Sequence, residues 1–262
     1  MQTTNLMPVL FVGHGSPMHA INDNAFTQQW QKLGEQIGKP KAILAISAHW
    51  YTSHTAVQAT PVPQQIYDMY GFPQALYDKK YPAVGDAQLS MQVLNLLAAQ
   101  GIQIDNSWGI DHGIWSILVH MYPQADVPVV QLSINQNLSP QQMYALGQQL
   151  QPLRQEGILI LTSGNIVHNL RMMVSDRSNE ELPWAKDFDN WMRDKVLARD
   201  LETILNYEQY PYADLAAPTP DHMDPLFYAL GATREQDQVT VFNDARELGS
   251  LSMTSFMWHE HP

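Results

Sequence analysis

The sequence predicts an α/β fold: a single domain with a central, mostly parallel sheet flanked by helices. Three short apolar runs rich in branched residues carry this expectation: Pro8-Val9-Leu10-Phe11-Val12, Ala42-Ile43-Leu44-Ala45-Ile46 and Ile158-Leu159-Ile160-Leu161-Thr162. Their length and composition suit strands buried on both faces. Each run leads through glycine or serine to a histidine, giving Gly13-His14-Gly15-Ser16-Pro17, Ser47-Ala48-His49-Trp50 and Ser163-Gly164-Asn165-Ile166-Val167-His168. Segments of helical period separate the runs. No repeat, low-complexity stretch or linker divides the chain, so residues 1–262 are expected to form one domain.

Along the chain, Asn22-Asp23-Asn24 offers an N-cap, and Phe26, Trp30, Leu33 and Ile37 recur at helical spacing until Gly38 and Pro40 stop the helix. From Tyr51 to about Pro82 no helical period is evident. Aromatic and proline residues are dense there, including Tyr67-Asp68-Met69-Tyr70-Gly71-Phe72-Pro73. A long irregular segment with this composition reads as a pocket wall or lid, or else as a surface excursion. Asp86 caps a helix containing Leu89, Val93, Leu96 and Leu97 that ends at Gly101, with a short strand Ile102 to Ile104 behind it. Trp108-Gly109-Ile110-Asp111-His112-Gly113 precedes a helix from Ile114 to Met121. Val127 to Ile134 reads as a strand that enters the sheet only after Pro128. Ser139-Pro140 starts a helix that Gly157 closes. Pro183 to Arg199 reads as an amphipathic helix burying Trp184, Phe188, Trp191 and Val196. Pro218-Thr219-Pro220-Asp221-His222 punctuates the chain before an apolar helix from Pro225 to Leu230. Thr219 or Asp221 would cap that helix, with His222 in or near its first turn. Val239 to Phe242 and Leu251 to Trp258 read as late strands.

A net charge of -12 argues against nucleic acid or an anionic membrane as partner, since both require a basic footprint. With no cysteine there is no disulfide and no thiolate ligand, so a metal must be held by nitrogen or oxygen. Met1-Gln2-Thr3-Thr4-Asn5 lacks the basic and apolar parts of a signal peptide, and no apolar run is long enough to span a bilayer. A cytoplasmic location is the expectation.

Any one histidine is ordinarily a surface residue or a hydrogen-bonded core residue. Here His14, His49 and His168 share one context at strand ends, where α/β sheets open their ligand crevices. His14, His49 and His222 could supply one face of a non-haem metal site with open positions opposite. His112, between Asp111 and Gly113, stays open between structural and functional readings. His19, His54 and His120 lack the strand-end context and read as structural. His259 and His261 read as a frayed tail able to bind stray metal weakly. Gly13-His14-Gly15-Ser16 has no phosphate-loop spacing and no lysine. Gly-x-Ser-x-Gly is absent around Ser163, so nothing supports a nucleophile elbow.

These motifs, with Gly71-Phe72-Pro73, Asp111-His112-Gly113 and Thr219-Pro220-Asp221-His222, resemble the class III extradiol ring-cleavage dioxygenases, in particular the DOPA extradiol branch of bacteria and plants. They run in the same order over nearly the whole chain. The resemblance implies a mononuclear site in which His14 and His49 are ligands and His222 is the third. His168 is implied as acid/base or as an additional ligand, and His112 as a pocket histidine. It implies Fe(II), with zinc as the other occupant such sites accept, and a small aromatic diol and dioxygen as substrates. Protocatechuate-type members complete their site with a carboxylate, whereas this chain offers His222 between Asp221 and Asp224. A zinc-dependent hydrolase and a non-catalytic binding protein on the same scaffold are the competing readings.

Overall fold

The computed structural model describes residues 6–174 and 181–260. The N-terminal stretch read for a leader and His261 lie outside them. The first strand, β1 (Val9–Gly13), runs to the turn carrying His14. Helix α1 (Ala25–Ile37) opens on a reciprocal cap in which the Asn24 side chain accepts from the backbone N–H groups of Phe26 and Thr27, while Thr27 Oγ1 accepts from the Asn24 N–H. Replacing Asn24 by alanine orphans two donors and is expected to cost about 1 kcal/mol. A urea titration checks this, and a loss of only a few tenths would mean water replaces the cap.

Strand β2 (Ala42–Thr52) is longer than its apolar run, so His49 lies inside the strand and not beyond its end. Then come β3 (Ala56–Val57), α2 (Gln74–Asp78), α3 (Ala87–Leu96) and β4 (Gln103–Ile104). Neither β3 nor α2 is evident from sequence, since both are too short to show a period. Helix α4 (His112–Met121) begins two residues earlier than its apolar run, because Asp111 is its cap. Strand β5 (Val129–Asn135) begins directly after Pro128, as expected. Helix α5 (Pro140–Leu150) ends before Pro152, and a 3-10 helix carries the chain on to Gly157. Next are β6 (Ile158–Gly164), α6 (Pro183–Leu197), α7 (Leu201–Leu205), α8 (Ala213–Ala216) and α9 (Asp224–Ala232). In α6, Phe188 and Val196 are buried as expected, but Trp184 and Trp191 are only half-buried, and Ala185 and Met192 complete the inner face. Neither Thr219 nor Asp221 caps α9; His222 instead ends a 3-10 turn, Pro220–His222, just before that helix. Last come β7 (Gln238–Phe242), β8 (Arg246–Glu247), β9 (Leu251–Ser252) and β10 (Ser255–His259), so the expected strand Leu251 to Trp258 is broken in two.

The main sheet has eight strands in the order β4-β3-β5-β2-β6-β1-β10-β7. Its centre, β5-β2-β6-β1, is parallel as expected. Towards the edges β3 runs antiparallel to β5, and β10 and β7 add antiparallel pairings, so the whole sheet is mixed. Both faces are covered. Leu10, Val12, Ile43, Ala45 and Leu161 pack under α1 and α4. Val9, Phe11, Leu44, Ile46 and Ile160 pack under α3, α5, α6 and α9. No helix among the described residues is long and apolar enough to cross a membrane.

Strand register aligns the carboxyl ends of the central strands. Gly13 lies opposite Gly164 and Ser47 opposite Ser163, so β1, β6 and β2 reach one row together. His14 and His49 extend just past that row on either side of β6. The pairing of β2 with β5 slips between Ile46 and Tyr51, a local irregularity of the kind that re-aims side chains, and His49 lies within it.

Candidate metal centre

Beyond the row the imidazoles of His14, His49, His112, His168 and His222 line one cavity. His222 comes from a distant segment and is brought in by contact with β6. Its carbonyl accepts from the Asn165 N–H at 2.9 Å and presses on Gly164, where any Cβ would collide with that oxygen. Only glycine admits this approach.

Each ring is held from behind. His14 Nδ1 lies 2.9 Å from Ser163 Oγ, whose hydroxyl donates to the Gly113 carbonyl at 2.5 Å. With its one proton so used, Ser163 must accept from His14 Nδ1–H, leaving Nε2 as a lone pair. His222 Nδ1 faces Asp221 Oδ2 at 2.6 Å. His49 Nδ1 lies 2.8 Å from Asp68 Oδ2 and 3.8 Å from Asp111 Oδ1. Carboxylates only accept, so His222 carries its proton on Nδ1, whereas the short approach of Asp68 to His49 Nδ1 is bent away from hydrogen-bond geometry.

His49 Nε2 and His222 Nε2 stand 3.2 Å apart. With its proton on Nδ1, His222 presents a lone pair at this contact. Metal–nitrogen bonds of about 2.1 Å meeting at about 90–110° separate two donors by about 3.0–3.4 Å, so the observed spacing suits chelation. Ligand atoms of His14, His49 and His112 also lie within 4.8 Å of one another, as do those of His49, Asp68 and Asp111. The donor set of neutral imidazoles fits a divalent ion of the first transition row.

Burial and the mutual repulsion of the rings push His14 well below the ordinary imidazole range. Burial likewise lowers His222, against the pull of Asp221, and His112, where His49 adds to it. His168 is lowered to about 2 by burial and by His222. His49 is the exception: burial opposes its charge, but Asp68 and Asp111 outweigh burial and raise it. Burial opposes ionisation of Asp68 too, yet hydrogen bonding to His112 and His49 holds its carboxyl far below the usual range. Four rings are thus neutral donors, as ligation requires.

His168 stacks face to face on His222, with ring centroids 3.4 Å apart and planes 5° from parallel. It stands four residues past β6, bridged to Leu251, and not at the strand's end. His112 is the first residue of α4, its ring centroid 4.1 Å from that of His49. Its ring lines the cavity.

The cavity has a volume of about 470 Å³. Histidines line its floor, and Met69, Tyr70, Phe72, Leu170, Met173, Leu248 and Leu251 its walls. The irregular segment is therefore a pocket wall. A more open cleft of about 730 Å³, reaching Tyr51, Trp108, Gln136 and Asn137, touches the same His49 and Asp68 from another side.

His19, His120 and His259 make contacts of a structural kind outside this cavity. His19 is buried, with Nε2 2.9 Å from Glu247 and Nδ1 3.1 Å from Asn24 Nδ2. His120 Nε2 donates to the His19 carbonyl at 2.7 Å, and His259 bonds Thr240 at the edge of the sheet. Sequence reasoning missed Asp68 and Ser163. Asp68 gives no signal of its own within an aromatic run, and the sequence around Ser163 bears only on a nucleophile, whereas its hydroxyl orients His14.

Comparison with known proteins adds names. The family model for the catalytic LigB subunit of aromatic ring-opening dioxygenase matches residues 7–255. A protein of Escherichia coli (strain K12) named 4,5-DOPA dioxygenase extradiol is 42% identical over 259 residues, 97% of this chain and 96% of its own. A protein of the same name from Beta vulgaris is 38% identical over 261 residues, with 96% of each chain covered. The crystal structure of an uncharacterized protein from Escherichia coli K12 superposes with a TM-score of 0.85 at 39% identity, covering 96% of this chain and 99% of that one.

Proposed function

The chain belongs to the family of the catalytic LigB subunit of aromatic ring-opening dioxygenases and is an extradiol dioxygenase; from that premise we propose that it opens the ring of DOPA or a closely related catechol at one metal ion held by His14, His49 and His222. The observation that carries this reading is the convergence of three imidazole rings, with centroids 4.9, 5.3 and 5.2 Å apart, whose Nδ1 atoms face Ser163, Asp68 and Asp221. Fe(II) is the metal assigned to turnover, with zinc as the alternative occupant. Bound there, iron would supply acidification of the diol and an open position for dioxygen.

His168 acts as acid and base and not as a fourth ligand. Stacked face to face on His222, His168 presents its ring nitrogens beside those of His222 and does not oppose them across the cavity, so His14, His49 and His222 would hold the metal and His168 would face the substrate. His168 lines the cavity beside His222, and from there it takes a hydroxyl proton and returns it to the opened product. His112 meets a substrate oxygen from the other side. The reaction is carried by one catalytic domain spanning residues 1–262. The acidic, cysteine-free composition supports a cytoplasmic setting without nucleic acid or membrane partners.

The test is oxygen uptake after anaerobic loading of metal-free protein with Fe(II), with DOPA or protocatechuate added and a zinc-loaded sample alongside. Uptake with a new visible absorbance in the iron sample alone is the expected result. Silence with every catechol, despite stoichiometric iron, would overturn the reading in favour of a zinc hydrolase or a binding protein. Within the wall, Tyr70 is 92% exposed and offers a bound ring little. Phe72, half-buried, is the better anchor. Phe72→Ala is expected to raise KM roughly tenfold with little change in kcat, through lost apolar contact. An unchanged KM would remove Phe72 from the binding surface.

A further inference from the structure

We propose that Asp68 is a positioning residue shared by both sides of the centre: its carboxylate fixes the imidazole tautomers of His49 and His112 together. Oδ2 lies 2.8 Å from His49 Nδ1, and Oδ1 lies 2.9 Å from His112 Nδ1. Both approaches are short but bent outside hydrogen-bond geometry, and neither nitrogen has a hydrogen bond to any other described group, which leaves Asp68 as the one polar group facing each of them. Asp68 is anchored independently of the two rings, because Oδ1 also accepts the His112 backbone N–H at 3.0 Å. That N–H opens α4, a ten-residue helix whose N-terminal dipole favours a carboxylate.

A carboxylate has no proton to give, so each ring facing it must bring its own on Nδ1. His49 then presents a lone pair at Nε2 and needs no tautomer change to bind metal. His112, while neutral, presents a lone pair as well. It therefore accepts a hydrogen bond from a substrate hydroxyl. Asp68 belongs to the same segment as Met69 and Phe72, so one loop supplies both the pocket wall and the tautomer control.

The inference rests on the metal-centre reading of His49, but its test needs no turnover. Histidine-labelled, metal-free protein at alkaline pH is read by two-bond proton–nitrogen spectra, with a His112→Gln variant assigning one ring. Wild-type protein is expected to carry the proton on Nδ1 in both rings. Asp68→Asn offers one acceptor and one donor, so one of the two rings should reverse. Co(II) affinity should fall about 10- to 100-fold. A proton on Nε2 of either ring in the wild type overturns the proposal, and that spectrum decides even if the variant does not fold. So does an Asp68→Asn protein with both tautomers kept and Co(II) affinity within about twofold. Both tautomers as proposed in a protein inert towards every catechol would leave this inference standing and remove the catechol reading.

Discussion

His14→Ala is expected to yield a folded protein that purifies with almost no metal and turns over on the order of 10³-fold more slowly than wild type. His14 is one of the three proposed donors, and burial keeps it neutral, so removing its ring leaves two of the three ligands. The fold should survive. The ring projects into a cavity, and the Ser163 hydroxyl keeps its bond to Gly113 when the imidazole is gone. Metal analysis and circular dichroism together check the result. Full metal content with wild-type turnover would exclude His14 as a ligand, and chelator treatment of the wild type should reproduce the inactive state.

His168→Gln is expected to keep its metal and lose about 10²- to 10⁴-fold in kcat, the usual weight of a positioned acid/base. The amide fills much of the imidazole's space against His222 but cannot exchange a proton near neutral pH. Loss of metal in this variant would make His168 a ligand, contrary to the geometry of the stacked rings. Wild-type kcat with full metal would leave it without a chemical role.

Much of this architecture is legible in the sequence because its signals are local. The apolar runs ending in glycine or serine mark β1, β2 and β6, and Asn24, Asp86 and Ser139 cap three of the helices between and around them. Shared context likewise points to His14 and His49. What escapes is what depends on register or on close contact between distant segments. No local signal says that His222 reaches the cavity by laying its carbonyl on Gly164, or that Asp68 spans two rings. His112 is ambiguous for the same reason, since its ring acquires a role only once Asp68 and His49 surround it. The buried Arg154–Asp237 pair, 2.6 Å apart, is equally silent, because each residue alone reads as a surface charge.

The placement of β10 beside β1 has a consequence for biosynthesis. Val9, Leu10 and Phe11 pair on one side with Ile160, Leu161 and Thr162, and on the other with Trp258, Met257 and Phe256. As the ribosome delivers the chain, β1 emerges first, finds its inner neighbour only after more than half of the chain is made, and its outer neighbour at the very last. At about 5–20 residues per second, an apolar strand stays unpaired for about 7 to 30 seconds, open to other nascent chains. Soluble yield should therefore rise when translation is slowed or chaperones are abundant. The pairing that brackets β1, and with it His14, is completed only when the last strand arrives.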